Sequence, residues 1–154
     1  MENSDKNRIH GVHHVLAHSY TMHLSLFLVG VVLDLIFHFK LFNHPSAAPI
    51  GIFFLIFGTF LIIWAQKTSR KLNKNNINKE SFLRGPYRYT RTPTNFGLCF
   101  LVLGFGLIIN AFFVILSAFV SFLISKFVFL NKQEKMLAAK YGAPYLEYKK
   151  MVKF

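Results

Sequence analysis

Residues 96–130 read FGLCFLVLGFGLIINAFFVILSAFVSFLISKFVFL, thirty-five positions with a single lysine and no acidic residue. As one helix this block would run about 50 Å, against a hydrocarbon core of about 30 Å. It must therefore turn. Asn110 is the only strongly polar residue near its middle, and the turn is predicted there. Pro93 suits the first turn of a helix, which puts Thr92 at the N-cap with its hydroxyl placed to accept from a free backbone N–H. The predicted helices are 93–109 and 111–130, a tight hairpin. Lys126 lies close enough to the far end to snorkel to an interface. Gly97, Gly104 and Gly106 would let neighbouring helices approach closely.

Upstream lie two more apolar runs, 20–42 and 47–65, each long enough for a span of roughly 20 residues. The short polar connection 43–46 between them predicts an antiparallel hairpin. The segment 66–92 is polar and reads as an interfacial loop. The tail 131–154 alternates basic and apolar residues, and predicts a short amphipathic helix, a break at Gly142-Ala143-Pro144, and a second helical segment. The expected fold is thus an all-α integral membrane domain over 1–154, with four transmembrane helices and an amphipathic C-terminal tail. Composition agrees: 53% of the 154 residues are hydrophobic, nineteen are Phe, and the mean hydropathy is +0.40.

The net charge of +12 has two readings, a nucleic-acid partner or membrane topology. Its distribution decides. Eight cations, from Lys67 to Arg91, share the loop, and six more, from Lys132 to Lys153, share the tail. The first inter-span segment has only Lys40. That asymmetry follows the positive-inside rule and puts the loop, the tail and both termini in the cytoplasm. A nucleic-acid partner is excluded on the same ground. Cys99 is the only cysteine, so there is no disulfide framework. The first apolar run lacks an obvious small-residue cleavage site and reads as a retained helix.

The most chemically informative stretch is Gly85-Pro86-Tyr87-Arg88-Tyr89-Thr90-Arg91-Thr92-Pro93-Thr94-Asn95-Phe96-Gly97. It sets arginines and tyrosines against the start of a buried helix, where free N–H groups and a partial positive charge favour an anion. Arg88 and Arg91 add bidentate donors for a carboxylate. Tyr87 and Tyr89 offer flat faces to an adenine ring or a sulfonium cation. Simple anchoring to anionic head groups would use the arginines but would not require the Gly-Pro, the paired tyrosines and Pro93 at fixed spacing.

This stretch resembles the Gly-Pro-Tyr-Arg-Tyr-x-Arg-His-Pro-x-Tyr-x-Gly motif of the isoprenylcysteine carboxyl methyltransferase and phospholipid methyltransferase families. The tail resembles their Glu-Glu-x-x-Leu and Phe-Gly-x-x-Tyr-x-x-Tyr ending, in Gln133-Glu134-Lys135-Met136-Leu137 and Tyr141-Gly142-Ala143-Pro144-Tyr145-Leu146-Glu147-Tyr148. The resemblance covers roughly the last half of the chain. Tyr87, Arg88, Arg91, Pro93, Gly97, Glu134 and Tyr145 match; Thr92 stands for the usual His, Asn95 for the usual Tyr and Gln133 for the first Glu. It implies S-adenosylmethionine held between these ten residues, with Glu134 on the amino group of its methionine part. It also implies methyl transfer to a membrane-embedded lipid-like acceptor, a prenylcysteine-type carboxylate or a lipid head group. A nicotinamide-dependent membrane reductase of related fold and a non-catalytic relative with a scaffolding or lipid-binding role are the alternatives.

Two further groups stand out. Asp34 lies within the first span with His38 one helical turn on, and the pair is a candidate for orienting a substrate head group or for a simple Asp–His contact. His10, His13, His14, His18 and His23 include two pairs at i,i+4 spacing. Without cysteine or a well-placed acid they read as an interfacial helix, and no metal is expected.

Overall fold

The structure is a computed structural model that describes residues 2–42, 47–70 and 79–152. Helices α1 (Glu2–Phe37) and α2 (Ala48–Arg70) are followed by a single turn, α3 (Lys79–Phe82), and a 3-10 turn at Gly85–Arg88. Then come α4 (Pro93–Ile109) and α5 (Phe112–Ile124). A π turn at Ser125–Phe129 leads into α6 (Leu130–Tyr141), and α7 (Ala143–Met151) ends the described chain. No strand occurs among the described residues. Three stretches are long and apolar enough to cross a membrane: His18–Phe37, Ala48–Arg70 and Phe112–Ala139. The protein is a membrane protein. At seventeen residues, α4 is a shorter apolar helix, about 25 Å long.

The turn predicted within the long apolar block is present. Asn110 caps α4 in the left-handed region (φ 56°, ψ 44°), where asparagine is tolerated better than most residues. Its side chain then binds a third segment. The amide donates to Phe42 O at 2.6 Å, and its oxygen accepts from the N–H groups of Leu41 and Phe42, both at 3.0 Å. These bonds explain why the first span stops early. Residues 38–42 were expected to be helical, but α1 ends at Phe37 and His38 turns the chain with φ 50°. The side chains of Phe39, Leu41 and Phe42 do not distinguish helix from an extended segment bonded elsewhere. The connection 43–46 lies outside the described residues.

The first two helices do not pair with each other as a hairpin. Instead α2 packs along α4, while α1 packs along α5 and α5 joins the two pairs. Glycines make the choice. A Cβ on Gly51 would lie 2.7 Å from Gly104 O, and one on Gly104 would lie 2.6 Å from Gly51 O. Seven residues along each helix the pairing repeats: a Cβ on Gly58 would meet Gly97 O at 2.7 Å, and one on Gly97 would meet Gly58 O at 3.0 Å. Backbone contact this close is the device by which membrane helices associate without a hydrophobic drive. Gly106 plays the same part against Ile115 of α5.

Two boundaries move. Helix α2 continues past 65 to Arg70, since no breaker interrupts it. The segment beyond Leu130 is not a separate tail helix, because α5, the π turn and α6 run on without a cap. The predicted break falls on Gly142, with φ 64° and ψ −138°.

Asp34 joins α1 to α5. Its Oδ1 accepts from Phe113 N at 3.1 Å and its Oδ2 from Val114 N at 2.8 Å. A carboxylate at the positive end of a helix, satisfying two free N–H groups, is a cap supplied from another helix. The His38 ring faces Ile36 O at 3.4 Å instead, so the expected Asp34–His38 pair gives way to a stronger partner. Asp34→Ala is expected to destabilise the protein by about 1–2 kcal/mol, with Asp34→Asn losing less. Thermal unfolding in detergent measures both. Full activity in Asp34→Asn would remove Asp34 from substrate handling.

Candidate functional site

The motif at the start of α4 and the second motif on α6 come together. Thr92 is the N-cap of α4 and Pro93 fills the first turn. The Thr92 hydroxyl does not cap, contrary to expectation. Its φ of −130° and ψ of 57° instead turn its carbonyl inward to accept from Asn95 N at 3.1 Å and Phe96 N at 3.4 Å. Arg91, one residue earlier, donates from Nη1 to Glu134 Oε1, forming an ion pair across 43 positions of sequence. Glu134 is 5% exposed. Its other oxygen, Oε2, takes Lys149 Nζ of α7 at 2.6 Å. A carboxylate this buried is tolerated because both oxygens are met by cations.

Beside this pair lies a cavity of about 130 Å³. One wall is Arg91, Thr92, Asn95 and Phe96. The other is Phe122, Ser125, Lys126 and Leu130. The rings of Phe96 and Phe122 meet edge to face at 4.9 Å and shut one side. Ser125 opens the π turn, a local widening that often marks functional positions in helices. It is 1% exposed, and its hydroxyl has no hydrogen-bond partner. Neither Ser125 nor Lys126 was singled out as a site residue from the sequence. The available signal was the four-residue spacing of Ser117, Ser121 and Ser125 within an otherwise apolar run.

The other expected site residues fall in different places. Pro93 is fully buried beneath the cap. Gly97 serves helix packing against α2. Arg88 is exposed, Tyr89 is 72% exposed, and Gln133 does not line the cavity. Asp34 holds the opposite end of α5, roughly 16 Å along the helix from Ser125. Among the described residues no three of His, Cys, Asp and Glu are grouped as a metal site would need. The side chains of His10, His13 and His14 lie outside the described residues.

Tyrosines fasten the C-terminal helices to the motif. Tyr148 donates to Tyr87 O at 2.7 Å, and Phe82 packs against the rings of Tyr141, Tyr145 and Tyr148. Burial pushes the Tyr145 hydroxyl up to about 12; the Glu134 carboxylate adds to the rise and Arg91 opposes it. Burial also raises Tyr148 and Tyr87. All three hydroxyls therefore remain protonated donors at neutral pH.

Comparison with known proteins bears on this arrangement. The family model described as phospholipid methyltransferase matches residues 19–144. The match reaches well into the first half of the chain, beyond the stretch in which the motifs lie. No curated protein and no solved structure matches.

The stability contributed by a neutral, buried Tyr145 is fully present below its ordinary value near 10 and is lost as the pH rises through about 12. The melting temperature should fall across that window, and Tyr145→Phe should flatten the fall. Differential scanning fluorimetry in detergent at stepped alkaline pH reads the effect.

Proposed function

The chain belongs to the phospholipid methyltransferase family, and from that premise we propose that it transfers a methyl group from S-adenosylmethionine to a lipid-like acceptor in the membrane. The observation that carries this reading is the meeting of Arg91 with Glu134, one from each motif, at the edge of a cavity holding an unpartnered serine hydroxyl. The donor set suits an amino-acid moiety. Arg91 and Lys126 are cations for its carboxylate, and Glu134 is an anion for its ammonium. The Lys149 ammonium on Glu134 Oε2 stands where that ammonium would bind. The cavity is smaller than the roughly 300–1,000 Å³ of a typical whole-ligand site, so it suits the reacting end and leaves the remainder of the ligand to the tail side.

When bound, the sulfonium supplies an activated methyl and a thioether leaving group. The residues have simpler tasks. Arg91 and Glu134 fix the orientation, Phe96 and Phe122 exclude water, and Ser125 offers one hydrogen bond to whatever enters. Positioning in a dry, shaped site is most of what in-line displacement requires. A carboxylate acceptor, of the prenylcysteine type, needs no base, whereas a head-group amine must lose a proton.

The positive-inside rule, applied to the basic loop and tail, favours a cytoplasmic face for this site. In that arrangement α1, α2, α4 and α5 are four spans, and both termini share the cytoplasmic side. The family match favours methyl transfer over nicotinamide-dependent reduction.

Calorimetry of S-adenosylmethionine with the protein in nanodiscs tests the proposal. Arg91→Ala and Glu134→Gln should each weaken binding by roughly 10- to 100-fold, the loss of one charge-assisted contact. Lys149→Ala removes the internal competitor and should leave binding unchanged or tighter. No binding by protein with native near-ultraviolet dichroism would refute the reading.

A further inference from the structure

Helices α1 and α5 run antiparallel, and three contacts fix their register. Asp34 bonds the N–H groups of Phe113 and Val114. Four residues earlier, a Cβ on Gly30 would lie 3.0 Å from Ser117 Oγ. Towards the other end the His18 ring lies 5.9 Å from that of Phe129, in the π turn. Residues 19–23 of α1 therefore run opposite 121–129, and α1 packs on the π turn and on α6 as well as on α5. Ser19 and His23 are one helical turn apart on the buried face of α1. Ser125 falls opposite them.

These three side chains are buried without partners. Ser19 is 1% exposed, His23 4% and Ser125 1%, and Ser19 Oγ, His23 Nε2 and Ser125 Oγ make no hydrogen bond with the protein. The other serines on this face of α5 behave differently. Ser117 Oγ donates to Val114 O, and Ser121 Oγ donates to Ala118 O. On α1, His23 Nδ1 lies 2.8 Å from Ser19 O. A carbonyl oxygen only accepts, so Nδ1 carries the hydrogen, and a neutral ring then leaves Nε2 as an acceptor. Two hydroxyls and one lone pair on a single buried seam are costly, and membrane helices can pack closely on small residues without them.

We propose that Ser19, His23 and Ser125 hold one water molecule between α1 and the π turn, and that this water keeps the turn open. One water completes the set. It donates to His23 Nε2 and to one serine oxygen, and it accepts from the hydroxyl of the other serine. Three bonds to buried groups that lack other partners are typical of an internal water. An anion would meet the Nε2 lone pair, and the set holds no carboxylate to neutralise a cation.

The role follows from the place of Ser125 in the turn. Its carbonyl accepts from Leu130 N, five residues on, the bond that makes a π turn. With its hydroxyl tied to α1, Ser125 cannot slip into the register of a regular α-helix. If the turn closed with every residue kept, Glu134 would rotate by about 100° about the helix axis and part from Arg91. Ser19 and His23 are thereby positioning residues for Glu134, although neither lies in the motifs. This inference does not depend on methyl transfer.

Solid-state NMR of the isotope-labelled full chain in nanodiscs, without S-adenosylmethionine, tests it. Magnetisation started on water protons should reach His23 and Ser125 but not Val114 or Ala118, which are equally buried on the same helix. His23 Nε2 should resonate as an unprotonated nitrogen. Ser125→Ala should lose the transfer to His23, and His23→Phe the transfer to Ser125. Both variants should also lose the through-space cross-peak between the Arg91 guanidinium and the Glu134 carboxyl. His23→Gln keeps an acceptor and Ser125→Thr keeps a hydroxyl, so both should retain the transfer and the cross-peak. A protonated Nε2, no transfer from water to His23, or a cross-peak that survives either His23→Phe or Ser125→Ala would overturn the proposal. Loss of the cross-peak in the Gln and Thr variants too would also overturn it, since packing alone would then explain the effect. No cofactor enters this readout, so its outcome is separate from that of the calorimetry.

Discussion

The backbone contact between α2 and α4 is the constraint on which the arrangement depends. Two glycine pairs, Gly51 with Gly104 and Gly58 with Gly97, lock the helices at two points seven residues apart. Contact at two points fixes separation, register and crossing angle together. Since α4 is short, fixing its register also fixes where its N-terminus lies. Arg91, Thr92 and Asn95 are carried on that end, and the glycines thereby set how far the first motif stands from Glu134. A side chain at any of the four positions would push backbone against backbone, which close-packed helices absorb poorly.

Several of these features were legible in the sequence. A lone asparagine in a long apolar run had to mark the turn. Gly142 had to break the tail, since its φ of 64° suits glycine best. Arg91, Glu134 and Tyr145 were identified through motif resemblance and do converge. What stayed hidden were partners distant in sequence. Asp34 reads most naturally against His38 four residues on, yet its carboxylate is used by amides some eighty positions away. Local spacing cannot reveal which helix end a buried acid will meet. Ser125 was masked for a different reason: a small polar residue in a span is usually satisfied by its own helix, as Ser117 and Ser121 are.

Glu134 is where two demands on one carboxylate meet. It draws Arg91 from the first motif and Lys149 from the last helix, and it adds to the rise that burial gives the Tyr145 hydroxyl. The docking of the C-terminal helices and the polarity of the cavity are therefore electrostatically linked. Exchanging Lys149 for another ammonium would conserve charge at Glu134 while freeing the side of α7.

The π turn at Ser125–Phe129 has a consequence for how this helix tolerates change in length. An α-helix advances 100° per residue, and a π turn absorbs one additional residue without ending the helix. Everything downstream, Glu134 included, is rotated by about that angle relative to a regular continuation of α5. The turn is therefore a phase setting between the membrane portion and the tail. Losing a single residue within it would close it to a regular α turn and keep the carboxylate facing Arg91, whereas gaining one in the regular helix beyond it would swing Glu134 away by more than a quarter of a revolution. This helix can therefore shorten by one residue without parting the ion pair, but it cannot lengthen by one.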